Sequence, residues 1–480
     1  MRKILMGAGA GLALLTGVIG YNTWQFTPQA SQSAAPYVLG ADIDAAAQSL
    51  SKAVQFKTIA NGSHQEEFDG FLALLKSEFP LIANKLTLEP LANNTQLYTW
   101  HGTDPSLAPV LLAAHSDVVP ISFGSLDRWS YTPFSGEIAD GYVWGRGTLD
   151  DKGALIAIMA TVEHLLATGF TPKRTVYLSF GGDEEIGGDG ALAVANHLIA
   201  QGVTLDWALD EGSFVLQDVI PGLDVPVASI NLAEKGYVTV KLVARSPGGH
   251  SALPPRVTAV GRIARAVDAL QTTPVPGGLS DVSGAFFDNL GRHFSLEKRV
   301  LFANTWLFSP LLNVVLSDAA TTNAMLRTTT APTMLAGSNK ENVLAAEASA
   351  VINFRIHPRD TIDSVIAHVT ETIDDPEVEI VVDRQFSSNP SPVADEASAG
   401  YTQIQTAITQ AFGPLATVPG LTIAATDARH YALAAKNAFR INPFKVTNDD
   451  IARFHGIDER LSIENLEAGM NFYGALLSKQ

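Results

Sequence analysis

Two kinds of apolar spacing alternate along the first half of this chain. Short, mainly apolar runs at 110–114 and 176–180 have the length of strands, and the longer run 154–166 has the length of a buried helix. Their alternation predicts an α/β sheet. Farther on, 237–244 and 348–356 read as strands and a helix begins near Val257, which predicts a second, smaller α+β unit. That unit starts near Ile230 to Lys235 and returns near Ser391 to Glu396, through a Ser-, Asn- and Pro-bearing linker at 386–399. A chain of 480 residues exceeds what one core usually supports, so a large unit of residues 36–231 and 395–480, interrupted by an insertion at 232–394, is expected. Within the insertion, 286–316 is rich in aromatic and aliphatic residues, among them Phe302, Trp306, Leu307, Phe308, Leu311 and Leu312. Helical packing inside the insertion is the expected use of that stretch, and an apolar surface for acyl chains or a membrane is the second reading.

The N-terminus carries a different pattern. Met1, Arg2 and Lys3 precede an apolar stretch at 4–21, the layout of a secretory signal, with a length between a signal core and a full span. Ala30, Ser33, Ala34 and Ala35 offer small residues for cleavage, and an uncleaved single-pass anchor fits the same pattern. Residues 1–35 are therefore set apart as a signal peptide or membrane anchor, and the rest is expected outside the cytoplasm, in a periplasmic, secreted or lumenal setting. Composition narrows the chemistry. The absence of cysteine excludes disulfides and thiolate ligands, and a net charge of −17 argues against nucleic acid, whose phosphates reward basic surfaces.

Five scattered segments hold the remaining candidates: LLAAHSDVVP with His115 and Asp117, WGRGTLDDKG with Asp150, FGGDEEIGG with Glu184 and Glu185, ALDEGS with Asp210, and FHGIDER with His455. Together they offer two imidazoles and several carboxylates, a donor set that zinc accepts and that also suits cobalt or manganese. His115 and Asp117, two apart at a strand end, project the same way, so Asp117 is placed to orient a ligating imidazole. Asp150 enters a helix, where a carboxylate either caps the N-terminus or bridges two cations. Glu184 and Glu185 diverge in direction, which leaves one to hold metal and the other to carry a proton.

In these segments the chain resembles the zinc exopeptidase superfamily of aminoacylase, succinyl-diaminopimelate desuccinylase and glutamate carboxypeptidase. The run WSYTPFSGEIADGYVWGRGTLDDKG most resembles the Gly-X carboxypeptidase and N-acyl-amino-acid hydrolase branch. The resemblance implies an α/β fold: a co-catalytic zinc exopeptidase-like catalytic domain with an inserted α+β lid of the dimerisation type. It implies two zinc ions, with His115 on the first, Asp150 bridging, Glu185 on the second, Asp210 completing the first shell and His455 the second. Glu184 is then the general base and Asp150-Asp151 a cis peptide bond. In the lid, His250 within SPGGHSALPP is implied as the oxyanion donor, acting on its own or a partner subunit's cleft, and Asn342 and Arg355 as contacts for a substrate carboxylate. Thr426 and Arg429, in a turn where alanines replace the glycines of relatives, are further expected contacts, and His430 is read as structural.

The expected activity is hydrolysis of amide or peptide bonds in small peptides or N-acyl amino acids bearing a free carboxylate, by attack of a metal-bridging water. A co-catalytic aminopeptidase is the nearer alternative, from which the inserted lid points away. A catalytically silent protein that binds a peptide or amino-acid derivative is the other. His64, His101, His164, His197, His293, His357 and His368 are assigned to no metal.

Overall fold

The computed structural model describes residues 2–28, 34–60 and 64–480. Ala30 and Ser33 of the expected cleavage region lie outside them. The run expected at 110–114 forms strand Val110–His115, flanked by parallel strands Val176–Gly181 and Trp207–Asp210. It has no polar break because both faces are covered. Val110, Leu112 and Ala114 enter a core with Leu155, Ile158 and Val162 of helix Lys152–Ala167. Leu111 and Ala113 point the other way, into a core with Ala191, Val194 and Leu198 of helix Asp189–Ala200. The sheet continues through Ala438–Arg440, parallel to Trp207–Asp210, and then antiparallel through Val227–Glu234. The carboxyl ends of four parallel strands thus share one edge, where His115, Gly181, Asp210 and Arg440 sit, and sheets of this kind bind ligands at that edge.

The inserted unit has its own sheet, in the order Thr329–Ala336, Glu347–Ile356, Gly236–Arg245, Val378–Ser388. Alternation is strict in Glu347–Ile356 and holds in Gly236–Arg245 except at buried Val243. Val238, Val240, Leu242 and Ala244 face Ile263, Ala266 and Leu270 of helix Ala259–Thr272 and Val365 and Val369 of helix Ile362–Ile373, while Lys241 faces solvent. One face buried and one wet is what antiparallel sheets permit and parallel ones rarely do.

The aromatic stretch departs from its expected place. Phe286, Phe287, Leu290, Phe302 and Leu312 do not join the lid core; they pack with Val227, Ala416 and Val418 of the large sheet and with Phe26. The lid core is already closed by its two amphipathic helices, so the aromatics cover the flank of the large sheet instead. A polar joint links this helical segment to the lid: buried His357 accepts the Arg359 amide at Nδ1 (3.2 Å) and meets Ser283 Oγ at Nε2 (2.9 Å). Burial, followed by the charges of Arg359 and Lys235, lowers its pKa to about 3. The unfolded chain takes up this proton near pH 6.5, whereas the folded protein refuses it until about 3, so stability falls as pH drops through that window. His357→Gln is expected to make the acid side shallower by up to about 1.4 kcal/mol per pH unit. Urea unfolding at several pH values between those limits checks this; an unchanged slope would count against it.

Candidate metal centre

The strand ends and the loops after them bring the acidic and imidazole groups together. Asp150 sits between two imidazoles: His115 Nε2 lies 2.9 Å from Oδ1, and His455 Nε2 lies 2.8 Å from Oδ2. The cap reading for Asp150 fails, since helix Lys152–Ala167 has no side-chain cap and its first residue follows Asp151. The Asp150–Asp151 peptide bond is cis. Asp151 turns away into the core, where Asn442 Nδ2 donates to Oδ1 at 2.8 Å.

His115 Nδ1 donates to the Asp117 carbonyl oxygen at 3.0 Å, which fixes the ring and aims Nε2 at Asp150. The Asp117 carboxylate is 3.4 Å from the same nitrogen, and its two oxygens accept the amides of Glu184 and Glu185 at 3.2 and 3.1 Å. Asp117 therefore orients the imidazole mainly through its backbone and the acidic turn through its side chain. Glu185 Oε1 lies 3.4 Å from His455 Nε2 and accepts no hydrogen bond.

Two groups of donor atoms converge, each lying within 4.8 Å of one another: His115, Asp150 and Glu185, and His115, Glu184 and Glu211. Glu211, not Asp210, is the acid that reaches His115, with Oε1 3.7 Å from Nε2. Asp210 is buried beside it and belongs to neither group. Electrostatics follow from this crowding. Burial raises the carboxyls of Glu184 and Glu211 well above the usual range, with the negative charge of Asp150 adding to it in both, and burial also raises Glu185. For Asp150 burial acts in the same sense but is outweighed by hydrogen bonds from His115 and His455, which hold it low. The Nε2 of His115 facing a carboxylate oxygen at 2.9 Å, amid three further acids, gives a donor set that divalent cations fit once that nitrogen gives up its proton.

Several supporting groups were not singled out from the sequence. Glu459, four residues after His455, is fully buried and accepts the amides of Gly147, Leu149 and Asp150 at 3.0, 2.9 and 3.2 Å, while Arg146 pairs with its other oxygen. It ties the Asp150 loop to the His455 loop. Its signal was in view, as the acid of FHGIDER opposite the arginine of WGRG. Asp427 is buried against the glycine-rich turn, and a Cβ at Gly188, where φ is 69°, would collide with it.

Thr426 and Arg429 have partners within the protein. Thr426 donates through its amide and Oγ1 to Glu234 at 3.2 and 2.7 Å. Arg429 lies 3.7 Å from Glu234 and donates to the Gly187 carbonyl at 2.7 Å. Buried Arg440 completes this cluster with a 2.9 Å bond from Nε to Glu234. His430 points to the same Gly187 carbonyl, in keeping with a structural role.

On the lid, His250 pairs with Val343 on the short ladder of Gly249–His250 with Val343–Leu344, and the Ser251 amide donates to the Asn342 carbonyl at 3.1 Å, which brings Asn342 near although it lies 92 residues from His250. His250 Nδ1 accepts the Ala252 amide at 3.0 Å, so its neutral ring carries the proton on Nε2, as a donor. Arg355 stacks over Tyr237 at 4.9 Å. Among the described residues, no hydrogen bond or ion pair joins these three side chains to the acidic centre.

Comparison with known proteins agrees with this geometry. Residues 111–479 match the description "Peptidase family M20/M25/M40". The chain is 43% identical over 442 residues to a protein of Dictyostelium discoideum named "Probable carboxypeptidase S-like 2", covering 90% of this chain and 84% of that one. It is 36% identical to the mouse "N-fatty-acyl-amino acid synthase/hydrolase PM20D1", covering 88% and 86%. Its fold is shared with the M20 family metallo-carboxypeptidase Sso-CP2 of Sulfolobus solfataricus, at a TM-score of 0.64 with 18% identity, over 90% of this chain and 98% of that one.

Proposed function

Because this chain belongs to peptidase family M20/M25/M40 and is a metal-dependent hydrolase of small substrates, we propose that it cleaves amide bonds of N-acyl amino acids or small peptides with a free carboxylate. The observation that carries this reading is the single carboxylate of Asp150 held between the Nε2 atoms of His115 and His455, the arrangement a shared ligand of two cations requires. In this proposal the ions are two zincs, with cobalt or manganese able to replace them. His115 and Glu211 would hold the first, Glu185 and His455 the second, and Asp150 would be shared by both; Glu211 would take the place first given to Asp210.

When bound, such cations supply Lewis acidity, which polarises a carbonyl and makes water a competent nucleophile near neutral pH. The remaining work falls to the chain. Glu184, whose backbone is fixed by Asp117, takes the proton of the attacking water and delivers it to the departing amine. His250, with its proton on Nε2, donates to the oxyanion as the lid closes. Asn342 and Arg355 bind the substrate carboxylate, Arg355 through its planar fork. A homodimer through the lid and an extracytoplasmic location are part of the same reading, the latter resting on Arg2, Lys3 and the apolar stretch 4–21.

Metal-loaded protein offered N-acyl amino acids, dipeptides and free-amine amino-acid amides is expected to hydrolyse the first two classes at least about tenfold faster than the third. Preference for the free-amine amides would favour an aminopeptidase. Less than stoichiometric metal with no hydrolysis of any of them would favour a binding protein.

A further inference from the structure

The N-terminal helix Arg2–Gln25 exposes most of its side chains between residues 10 and 25. Leu12, Leu14, Val18, Tyr21 and Trp24 are all exposed, Leu14 and Trp24 at 73% each. Its C-terminal end is nevertheless fastened. Asn304 donates to the Ile19 carbonyl (3.3 Å) and to Thr23 Oγ1 (3.2 Å), and accepts from Asn22 at 3.0 Å. Just beyond the helix, Phe26 is buried beneath Arg292, whose guanidinium lies 4.5 Å from the ring.

Asn304 is also the residue before helix Thr305–Asp318. That helix buries Leu312 and exposes Leu307, Leu311, Val314 and Val315, a stripe at helical spacing, with Trp306 beside it. Trp306 is 58% exposed and keeps its Nε1 on Asn304 Oδ1 at 3.3 Å. Two unpartnered apolar surfaces therefore meet at one polar joint. Soluble monomers rarely leave so much apolar surface contiguous.

We propose that the exposed face of helix Thr305–Asp318, together with the N-terminal helix fastened beside it, rests on a lipid bilayer. The lipid occupant is favoured over a protein partner by composition. Residues 4–21 carry no charged side chain, and helix Thr305–Asp318 carries one, Asp318 at its end. Neither surface has the polar rim and arginine anchors of a protein interface. Tyr21, Trp24 and Trp306 at the joint are the amphipathic aromatics that settle at headgroup level. The helix lies on the membrane rather than across it. Among the described residues no single helix is long and apolar enough to span, and Leu296–Ala303 with Thr305–Asp318 reaches that length only as a pair bent by 112°. With no basic side chain on helix Thr305–Asp318, its contact is held by apolar burial and does not need anionic lipid. The inference stands apart from the identity of the substrate.

The chain has no cysteine, so Val315→Cys gives a lone thiol for a nitroxide label, and Val381→Cys gives a control on the exposed edge of the lid sheet. Full-length labelled protein is mixed with phosphatidylcholine vesicles and probed by collision with oxygen and with a water-soluble nickel chelate. The expected result is that vesicles raise the oxygen-to-nickel ratio several-fold at position 315 and leave position 381 unchanged. Failure to float with the vesicles, or flotation with position 315 still fully open to nickel, overturns the proposal. So does a label at 315 already shielded from both reagents without lipid, which would assign the face to a second copy of the chain. Val314→Cys, with its neighbouring exposed side chain, repeats the measurement if the first label perturbs folding.

Discussion

Glu184→Gln is expected to leave the protein folded and fully metal-loaded while lowering kcat by about 10³-fold, within the range that one positioned acid–base group contributes. The substitution keeps the shape of the side chain and removes only its capacity to accept a proton. The backbone amides of Glu184 and Glu185 stay on Asp117, so the turn that presents Glu185 is undisturbed. Metal analysis and steady-state kinetics on the same sample check it. Full turnover in this variant would sink the base assignment, and lost metal would mean that Glu184 is itself a ligand, a reading its place beside His115 and Glu211 makes worth separating.

A paired comparison of neighbouring acids carries the second large effect. Glu211→Gln is expected to cost one of two metal equivalents and at least about 10²-fold in activity, as several kcal/mol of charge stabilisation are lost. Asp210→Asn is expected to keep both equivalents. Metal content after dialysis, read with activity, decides between them, and the opposite pattern would restore Asp210 to the first shell. Asp210 is not inert in this account. Burial raises its carboxyl to about 6, and one of its oxygens has no hydrogen-bond partner, so its Asn variant is also informative about stability.

The exchange of Asp210 for Glu211 shows where sequence reasoning stops. Pleat alternation puts Leu111 and Ala208 on one face, and by the same count His115 and Asp210 share it. But the strand ends at Asp210, and Glu211, one residue past it, is the acid that reaches His115. Alternation is reliable inside a strand and silent one residue past it. The same distinction explains the rest. The α/β sheet and the one-sided lid were legible because unbroken and alternating apolar runs report how many faces are buried. Asp150 was legible as one of two things, and the approach of His455, 305 residues later, is what favours the proposed bridge over the cap. Thr426 and Arg429 were expected at the substrate, yet their partner Glu234 lies 192 residues from Thr426 and nothing local announces it. The aromatic helices carried their amphipathic signal plainly but not the identity of the surface they cover.

Glu459 gives the order of synthesis a meaning. The amides of Gly147, Leu149 and Asp150 are made early, and the carboxylate that receives them emerges only with the last 22 residues of the chain, after the whole lid. His455 arrives four residues earlier. A chain made only as far as the lid therefore holds the early half of the centre without Glu459 or His455, and the proposed hydrolysis waits until both have been made.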